Sequence, residues 1–211
     1  MISKKTMIRQ AILHDYQSLA KTYDEHWSTF LESTHNWVLA HLENPGHVID
    51  LGCGTGRLLE SILHKHPDSK LTGLDISPDM LTIAQQRLPQ ARLQETDFTT
   101  AKIKKKFDTV LSINVLHHLN NPESHIASLH SLCAKNGAIF LCDFAIETLP
   151  LKTAEQYWRF FHPAHHRAFT RKKLRSMLEK HFIIENEALL QPDRFWRLQI
   201  YKLQKPQSLD N

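Results

Sequence analysis

Glycine and cysteine are both scarce in this chain of 211 residues, and no long apolar run is present. The three cysteines, Cys53, Cys133 and Cys142, are an odd number at unrelated spacings. This argues against a disulfide framework and favours a reducing, cytoplasmic setting. The longest strongly apolar stretch, residues 110–116, is far too short to span a bilayer. The N-terminus carries charges through its only apolar patch, so no signal peptide is predicted.

Charge of one sign is also limited. The chain has 26 lysines and arginines and 22 aspartates and glutamates, which gives a net charge of +4 with neutral histidines. This small excess disfavours a protein dedicated to coating nucleic acid. The short basic runs at 104–106 and 171–173 have no interleaved aromatic residues, so we expect solvated faces rather than a base-stacking groove. Apolar and aromatic residues make up 41% of the chain, which is enough for a packed core in one domain.

From residue 47 onward, short apolar segments alternate with segments whose apolar residues recur at helical spacing. Seven strands are predicted, at residues 48–51, 70–76, 92–97, 107–113, 138–144, 182–190 and 195–203. Helices are predicted at 57–66, after Ser77-Pro78-Asp79, at 122–134 with a stop at Asn136-Gly137, and from Phe169 or Thr170. Apolar strands separated by helices predict a doubly wound, mostly parallel α/β sheet, and the two successive final strands predict a C-terminal antiparallel hairpin.

The same pattern divides the chain into three parts. Residues 1–44 are rich in helix formers and aromatic residues, lie outside the alternation, and are predicted to form an N-terminal helical lid. Residues 45–205 form the predicted α/β domain, and residues 206–211 a frayed tail.

Three of the six glycines fall within five positions, in the sequence VIDLGCGTGR at 48–57. Glycines let the backbone turn sharply and approach a ligand, and the following helix N-terminus offers free N–H groups. The spacing does not match the dinucleotide fingerprint, because Arg57 stands where its third glycine belongs, and no phosphate-binding Gly-Lys-Ser/Thr is present. The preceding Asp50 would repel a pyrophosphate but suits a ligand with a positively charged amine.

On these residues, the chain resembles the class I S-adenosylmethionine-dependent methyltransferases over about residues 45–145. VIDLGCGTG resembles their first motif, and GLDISPDML (73–81), Asp97-Phe98, FDTVLSINVLHHL (107–119) and NGAIFLCDF (136–144) resemble the later landmarks in order. The resemblance implies a Rossmann-like fold and S-adenosylmethionine as cofactor. It also implies cofactor contacts from Asp50, Gly52, Cys53, Gly54, Gly56, Asp75, Ile76, Asp97, Phe98 and Asn114.

The resemblance assigns a place to each later contact. Asp75 is expected at the ribose hydroxyls and Ile76 on the adenine. Asp97 and Phe98 are expected at the adenine amine, and Asn114 at the methionine end.

Three aromatic residues of the N-terminal part, Tyr16, Tyr23 and Trp27, are spaced to share one helical face. This face either packs on the domain or places the tyrosines over the methionine end, where aromatic rings favour a sulfonium. Tyr16 and Tyr23 are therefore further candidate cofactor contacts. Residues 19–24 resemble the A-x-x-Y-D start of small-molecule members of the family, including quinone-biosynthesis enzymes.

Four histidines are candidate general bases. His117 and His118 follow the fourth strand, near the expected methyl group, although family members often carry a similar His-Leu pair that packs or caps this turn. His162 and His166 lie with His165 in the long link after the fifth strand. No cysteine or acid is interleaved among them at zinc-ligand spacing, so no metal site is predicted.

The long link itself, residues 145–168, is typical of a lid or binding loop. Its aromatic segment 157–169 is expected to form part of the acceptor pocket. The alternative is a helix over about 152–161 that packs at the sheet edge, with the histidines solvated.

Motifs typical of other acceptor classes are absent. Residues 113–116 read Ile-Asn-Val-Leu, where family members that methylate exocyclic amines of DNA bases carry Asn/Asp-Pro-Pro-Tyr/Phe. We therefore expect a small-molecule acceptor, aromatic or anionic, and no nucleic-acid partner. Two alternatives stay open, an NAD(P)-dependent oxidoreductase and a non-catalytic S-adenosylmethionine-binding protein. The glycine spacing and Asp50 argue against the first, and the intact set of site residues argues against the second.

Overall fold

A seven-stranded sheet organises the computed structural model, which describes residues 10, 13–14, 16–17, 19–161 and 167–206. The strands are β1 (His47–Leu51), β2 (Lys70–Asp75), β3 (Arg92–Glu95), β4 (Phe107–Ile113), β5 (Cys133–Phe144), β6 (Ile183–Leu190) and β7 (Leu198–Gln204). They lie in the order β3-β2-β1-β4-β5-β7-β6. The first five are parallel, and β7 is antiparallel to both β5 and β6. The predicted doubly wound sheet with a C-terminal hairpin is confirmed.

Helices of the described chain pack around this sheet. They are α1 (Tyr23–His26), α2 (Ser28–His41), α3 (Arg57–Lys65), α4 (Pro78–Arg87), α5 (Pro122–Leu132), α6 (Leu149–Phe161) and α7 (Arg171–Leu178). Side-chain caps fix three of the helix starts, because Ser77, Asn121 and Thr170 each accept a hydrogen bond from the backbone N–H three residues on. A proline at the first helical position supports the starts of α4 and α5.

Apolar packing occurs on both faces of the sheet, in two buried clusters. Ile49 of β1 and Ile126 of α5 belong to one cluster, whereas the adjacent Val48 and the α3 residue Leu59 belong to the other. Successive strand residues point to opposite faces, so a strand buried on both sides carries apolar residues on both faces, as Val48-Ile49 of β1 and Val110-Leu111 of β4 do.

The predicted end of α5 is wrong. The helix stops at Leu132, and residues 136–137 lie within β5 rather than in a helix-terminating turn. Gly137 has a different reason to be glycine, because a Cβ there would lie 2.7 Å from both the Asp108 carbonyl oxygen and the Cys133 Sγ. The residue allows a close approach of two chain segments.

The last strand also begins later than predicted. The Asp193 carboxylate accepts hydrogen bonds from the N–H groups of Phe195 and Trp196, at 2.8 and 2.6 Å. These bonds hold both residues in a turn, and β7 starts only at Leu198.

The N-terminal part is not one continuous helix. A 3-10 turn at Ala20–Thr22 precedes α1, and the non-helical Trp27 separates α1 from α2. The Trp27 ring packs on Phe30, with ring centroids 5.3 Å apart, whereas the Tyr16 ring packs on Tyr23. That the three aromatic residues share one helical face stays a prediction. No helix among the described residues has the length and apolar character needed to cross a membrane.

Candidate cofactor and acceptor site

A cavity of about 480 Å³ opens at the carboxyl ends of β1, β2 and β4, where ligands bind in open α/β sheets. Nine predicted cofactor contacts line it, namely Tyr16, Tyr23, Gly52, Gly54, Asp75, Ile76, Asp97, Phe98 and Asn114. The sheet therefore brings together residues that are up to 98 positions apart in the sequence, from Tyr16 to Asn114.

Asp50, Cys53 and Gly56 do not line this cavity. The Cys53 side chain points into the core, where its Sγ would lie 2.7 Å from a Cβ on Gly73. Gly56 caps α3 with a positive φ of 76°, and a Cβ there would lie 3.2 Å from the Ala84 Cβ. Cofactor contacts from these three residues stay predictions, and the geometry gives Cys53 and Gly56 packing roles.

The glycine loop presents bare backbone to the cavity. Gly52 and Gly54 have φ values of +85° and +52°, in the region that L side chains rarely adopt. A Cβ on Gly52 would lie 2.5 Å from Val115, whereas one on Gly54 would meet nothing within 4 Å. The open side of Gly54 leaves space for a ligand against the backbone.

Two acids lie beneath and beside this loop. Asp75 accepts hydrogen bonds from the N–H groups of Gly54 and Ser77, at 2.8 and 2.9 Å, which tie the ends of β1 and β2 together. Burial raises the pKa of Asp75. Burial and the nearby Asp75 carboxylate raise the pKa of the fully buried Asp50 to about 7.

Two buried oxygens at this end of the site have no hydrogen-bond partner among the described residues, Asp50 Oδ1 and Asn114 Oδ1. Asn114 is held in the left-handed region, with a φ of 56°, while its N–H donates to the Cys142 carbonyl at 2.8 Å. Of these two acceptors only Asn114 lines the cavity, and its oxygen fits a ligand that brings its own N–H donors and positive charge, as the amino-acid half of S-adenosylmethionine does.

The other end of the cavity contains His125, which the sequence did not single out. Phe98 packs on the His125 ring at 5.3 Å, and His125 Nε2 lies 2.9 Å from Ser112 Oγ. Burial lowers the pKa of His125 to about 4, so this cavity-lining ring is neutral at pH 7. Asp97 accepts a hydrogen bond from the Thr99 N–H at 3.0 Å. His125 lies shortly after Asn121, the N-cap of α5. Its place in the cavity could have been predicted only by knowing which strand ends that helix faces.

A chain of polar side chains reaches the cavity from the segment that follows β4. The Tyr16 hydroxyl and His118 Nε2 are 3.1 Å apart, and both residues line the cavity. The His118 ring packs on the His117 ring at 3.9 Å. His117 Nδ1 lies 2.9 Å from Asp143 Oδ1, and its N–H donates to Asp143 Oδ2 at 3.0 Å.

The two neighbouring histidines therefore have different surroundings. His117 is buried and does not line the cavity, so direct contact with an acceptor is not proposed for it. His118 faces the cavity. The predicted pair thus separates into one residue at the site and one that packs behind it.

The long link does not reach the cavity with any described residue. Trp158 stacks on Trp196 at 4.5 Å, Phe169 is buried in the core, and Tyr157 is exposed. Helix α6 occupies the part that the alternative interpretation made helical. His162, His165 and His166 lie outside the described residues, and within the described ones no cluster of His, Cys, Asp or Glu could hold a metal ion.

The sequence also did not identify a network that joins the N-terminal part to the glycine loop. The Asp24 carboxylate accepts hydrogen bonds from Thr55 Oγ1 at 2.6 Å and from the Arg87 guanidinium at 2.8 Å. Arg87 also donates to the Thr55 carbonyl at 3.0 Å and pairs with Glu60 at 3.2 Å. We call these four residues the Asp24 network. It anchors the residue next to Tyr23 to the loop between Gly54 and Gly56.

Comparison with known proteins agrees with this geometry. The sequence model of a family described as a methyltransferase domain matches residues 49–139. An uncharacterized methyltransferase of Bacillus thuringiensis is 30% identical over 154 residues, covering 67% of this chain and 69% of that protein. The chain belongs to the class I S-adenosylmethionine-dependent methyltransferases.

Two further similarities extend along much of this methyltransferase. The malonyl-[acyl-carrier protein] O-methyltransferase of Anoxybacillus flavithermus is 26% identical, covering 69% of the chain and 57% of that protein. The crystal structure of magnesium protoporphyrin IX methyltransferase from Synechocystis, with bound S-adenosylhomocysteine, has a TM-score of 0.65 at 25% identity and covers 83% of this chain and 82% of that one. The methyltransferase spans between 25% and 58% of the length of the first curated relatives it matches.

Proposed function

We propose that the protein transfers the methyl group of S-adenosylmethionine to a small-molecule acceptor. The observation that carries this proposal is the composition of the cavity wall, which combines the bare glycine loop and two strand-end acids with the Tyr16–His118 pair. When bound, the cofactor would supply an activated methyl group, which departs from the sulfonium sulfur in line with an attacking nucleophile.

The chain's own residues would hold the cofactor in a defined orientation. Asp75 is proposed to bind the ribose hydroxyls, Asp97 and Phe98 the adenine, and Asn114 with the glycine loop the amino-acid half. Tyr16 and Tyr23 would cover the methionine end and exclude water, because their rings meet edge to face with centroids 5.7 Å apart. Positioning of this kind lowers the barrier to methyl transfer by several kcal/mol.

His118 is proposed as the general base. Its Nε2 lies next to the Tyr16 hydroxyl, so it can take a proton from an acceptor directly or through the tyrosine oxygen. General bases suit acceptors whose attacking atom still carries a proton near neutral pH, such as phenols. Support for a small acceptor comes from the names of the relatives, one of which is an O-methyltransferase of a malonyl group.

Asp75 provides the direct test of this function. Its carboxylate would make charge-assisted hydrogen bonds to both ribose hydroxyls, each contributing roughly 1.5–3 kcal/mol. We expect Asp75→Ala to weaken S-adenosylhomocysteine binding by at least about tenfold in calorimetric titration. Asp79→Ala, which removes an exposed acid four residues on, should leave the affinity unchanged.

Titrations with NAD and NADP complete the experiment. The proposal requires a thermal shift with S-adenosylhomocysteine and none with either dinucleotide. A shift with NAD or NADP alone would support an oxidoreductase, and no shift with any of the three would support a protein without a working cofactor site. Unchanged affinity in a folded Asp75→Ala variant would refute the ribose assignment.

A further inference from the structure

Exposed apolar side chains are concentrated in one region of the described surface. Five of the seven large ones lie on α6 or on the loop at 191–197 between β6 and β7, namely Leu149, Tyr157, Phe160, Phe161 and Phe195. Phe160 is 82% exposed and Phe161 58%. The other two lie on the edge strand β6. Apolar surface gathered in this way marks an interaction site.

Helix α6 has apolar residues on two opposite sides. Leu151 is buried, and Trp158 stacks on Trp196, so this side packs on the protein. At 100° per residue, Leu149 and Phe160 project from the other side of the helix. A surface helix that packs only on its own core needs one apolar side, so the second side requires a separate explanation.

The loop at 191–197 borders this surface from the side of α6 that packs on the protein. The stack of Trp158 on Trp196 brings the loop against α6, and the neighbouring Phe195 is 43% exposed. The Asp193 carboxylate accepts hydrogen bonds from the backbone N–H groups of Phe195 and Trp196, and Arg194 is exposed. The loop therefore adds a further exposed aromatic ring at the edge of the surface, and an exposed guanidinium next to a carboxylate.

The segment that carries these aromatic residues is basic. Residues 148–176 contain seven lysines and arginines and a single acid, Glu155, which is buried. The Arg171 N–H donates to Glu147 at 2.5 Å, which places the start of α7 beside the start of α6. Arg171 and Arg175 pair with Glu187, and the remaining basic residues of these two helix starts include the exposed Lys152, Lys172 and Lys173.

We propose that this surface docks on an anionic lipid bilayer. Leu149, Phe160, Phe161 and Phe195 would enter the headgroup region, and the lysines would contact acidic headgroups. Aromatic residues on the outer side of a helix flanked by lysines are the features of helices that lie in a membrane interface. A lipid surface fits better than a protein groove, because the Phe160 ring is 82% exposed, and the ring it contacts among the described residues, Phe161, is itself exposed.

Vesicle co-sedimentation of the full chain tests this inference independently of methyl transfer. We expect pelleting with vesicles of phosphatidylcholine mixed with phosphatidylglycerol, weaker pelleting with phosphatidylcholine alone, and a decrease at high salt. The double variant Phe160→Ser/Phe161→Ser should lose about tenfold or more in partition coefficient. Lys172→Gln/Lys173→Gln should reduce binding to the anionic vesicles only.

Ile183→Ser is the matched control, because it removes an exposed apolar side chain, 54% accessible, from a different part of the surface. It should bind like the parent chain. The inference is overturned if the parent chain binds neither kind of vesicle, or if the phenylalanine variant binds as well as the parent. It is also overturned if the chain binds an acidic carrier protein more tightly than lipid. Circular dichroism checks the fold, and Leu149→Ser replaces the double variant if that variant does not fold.

Discussion

His118 is the residue through which the proposed reaction would move a proton. The ring is held between the Tyr16 hydroxyl and the His117 ring, and His117 is in turn fixed by two hydrogen bonds to Asp143. We expect His118→Asn to lower kcat by about 100-fold while leaving S-adenosylhomocysteine affinity nearly unchanged, since general bases contribute at least this much. Turnover would be measured with the best acceptor from a panel of phenols and hydroquinones, whose attacking oxygen carries a proton.

His64→Asn, on the exposed side of α3, is the control for that experiment. If His118→Asn weakens cofactor binding as strongly as it lowers kcat, the residue shapes the cofactor site and does not act as a base. A His117→Asn variant should behave differently, with a shifted pH profile, because His117 acts only through the position of His118.

For single residues, the sequence predicted about half of those that line the cavity, but not how deeply each side chain is buried. Asp75 and Asp97 follow strand ends, and strand ends meet at one edge of a parallel sheet, so their convergence could be predicted. Cys53 sits in the same motif, yet its side chain fills the space beside Gly73. Spacing in a sequence gives the position of a residue along a loop and not the direction of its side chain.

The Asp24 network determines how the N-terminal elements meet the glycine loop. Asp24 precedes α2 by four residues, and its carboxylate bonds to Thr55 within the loop and to Arg87 at the end of α4. Because Tyr23 lines the cavity next to this anchor, an intact network should slow the exchange of cofactor. We expect Asp24→Asn to accelerate S-adenosylhomocysteine dissociation by roughly tenfold in stopped-flow measurements, equivalent to about 1.4 kcal/mol.

Glu32→Gln provides a matched comparison, because it removes a 3.4 Å ion pair to Arg57 whose glutamate is 61% exposed. Exposed pairs of this kind contribute little, so dissociation should stay at the parent rate. A lower melting temperature for Asp24→Asn with an unchanged dissociation rate would mean that the Asp24 network contributes only to folding stability.

The positions of helices and strands were predictable where local sequence signals agree. They were less predictable where contacts between distant segments determine the structure. Ser77-Pro78 predicted the start of α4 correctly because cap and proline act locally. The Asn136-Gly137 pair has the sequence of a helix stop, but the close approach of Asp108 places it in β5. The break at Trp27 has no strong local signal and arises where the N-terminal part packs on the domain.

Across the whole molecule, buried ionisable groups give opposing dependences of stability on pH. Burial lowers the pKa values of His35 and His125 to about 4, so their contribution to stability is full above pH 6.5 and is lost as the pH falls towards 4. The raised pKa of Asp50, about 7, has the opposite effect. Its contribution is full below the ordinary value of 3.8 and is lost as the pH rises through 7. Asp143, whose pKa is lowered from 3.8, titrates below this window.

The parent chain should therefore lose less stability between pH 7 and pH 4.5 than its two histidines alone would cause, because Asp50 offsets part of the loss. We expect the free energy of unfolding of Asp50→Asn to fall more steeply over this range, by an additional amount on the order of 3 kcal/mol, and that of His125→Gln to fall less steeply. Urea titrations at closely spaced pH values measure both slopes, and comparing slopes cancels any constant effect of each substitution. Parallel curves for the parent and Asp50→Asn would mean that Asp50 is already ionised in the folded chain at pH 4.5, and that the buried acid does not resist acid unfolding.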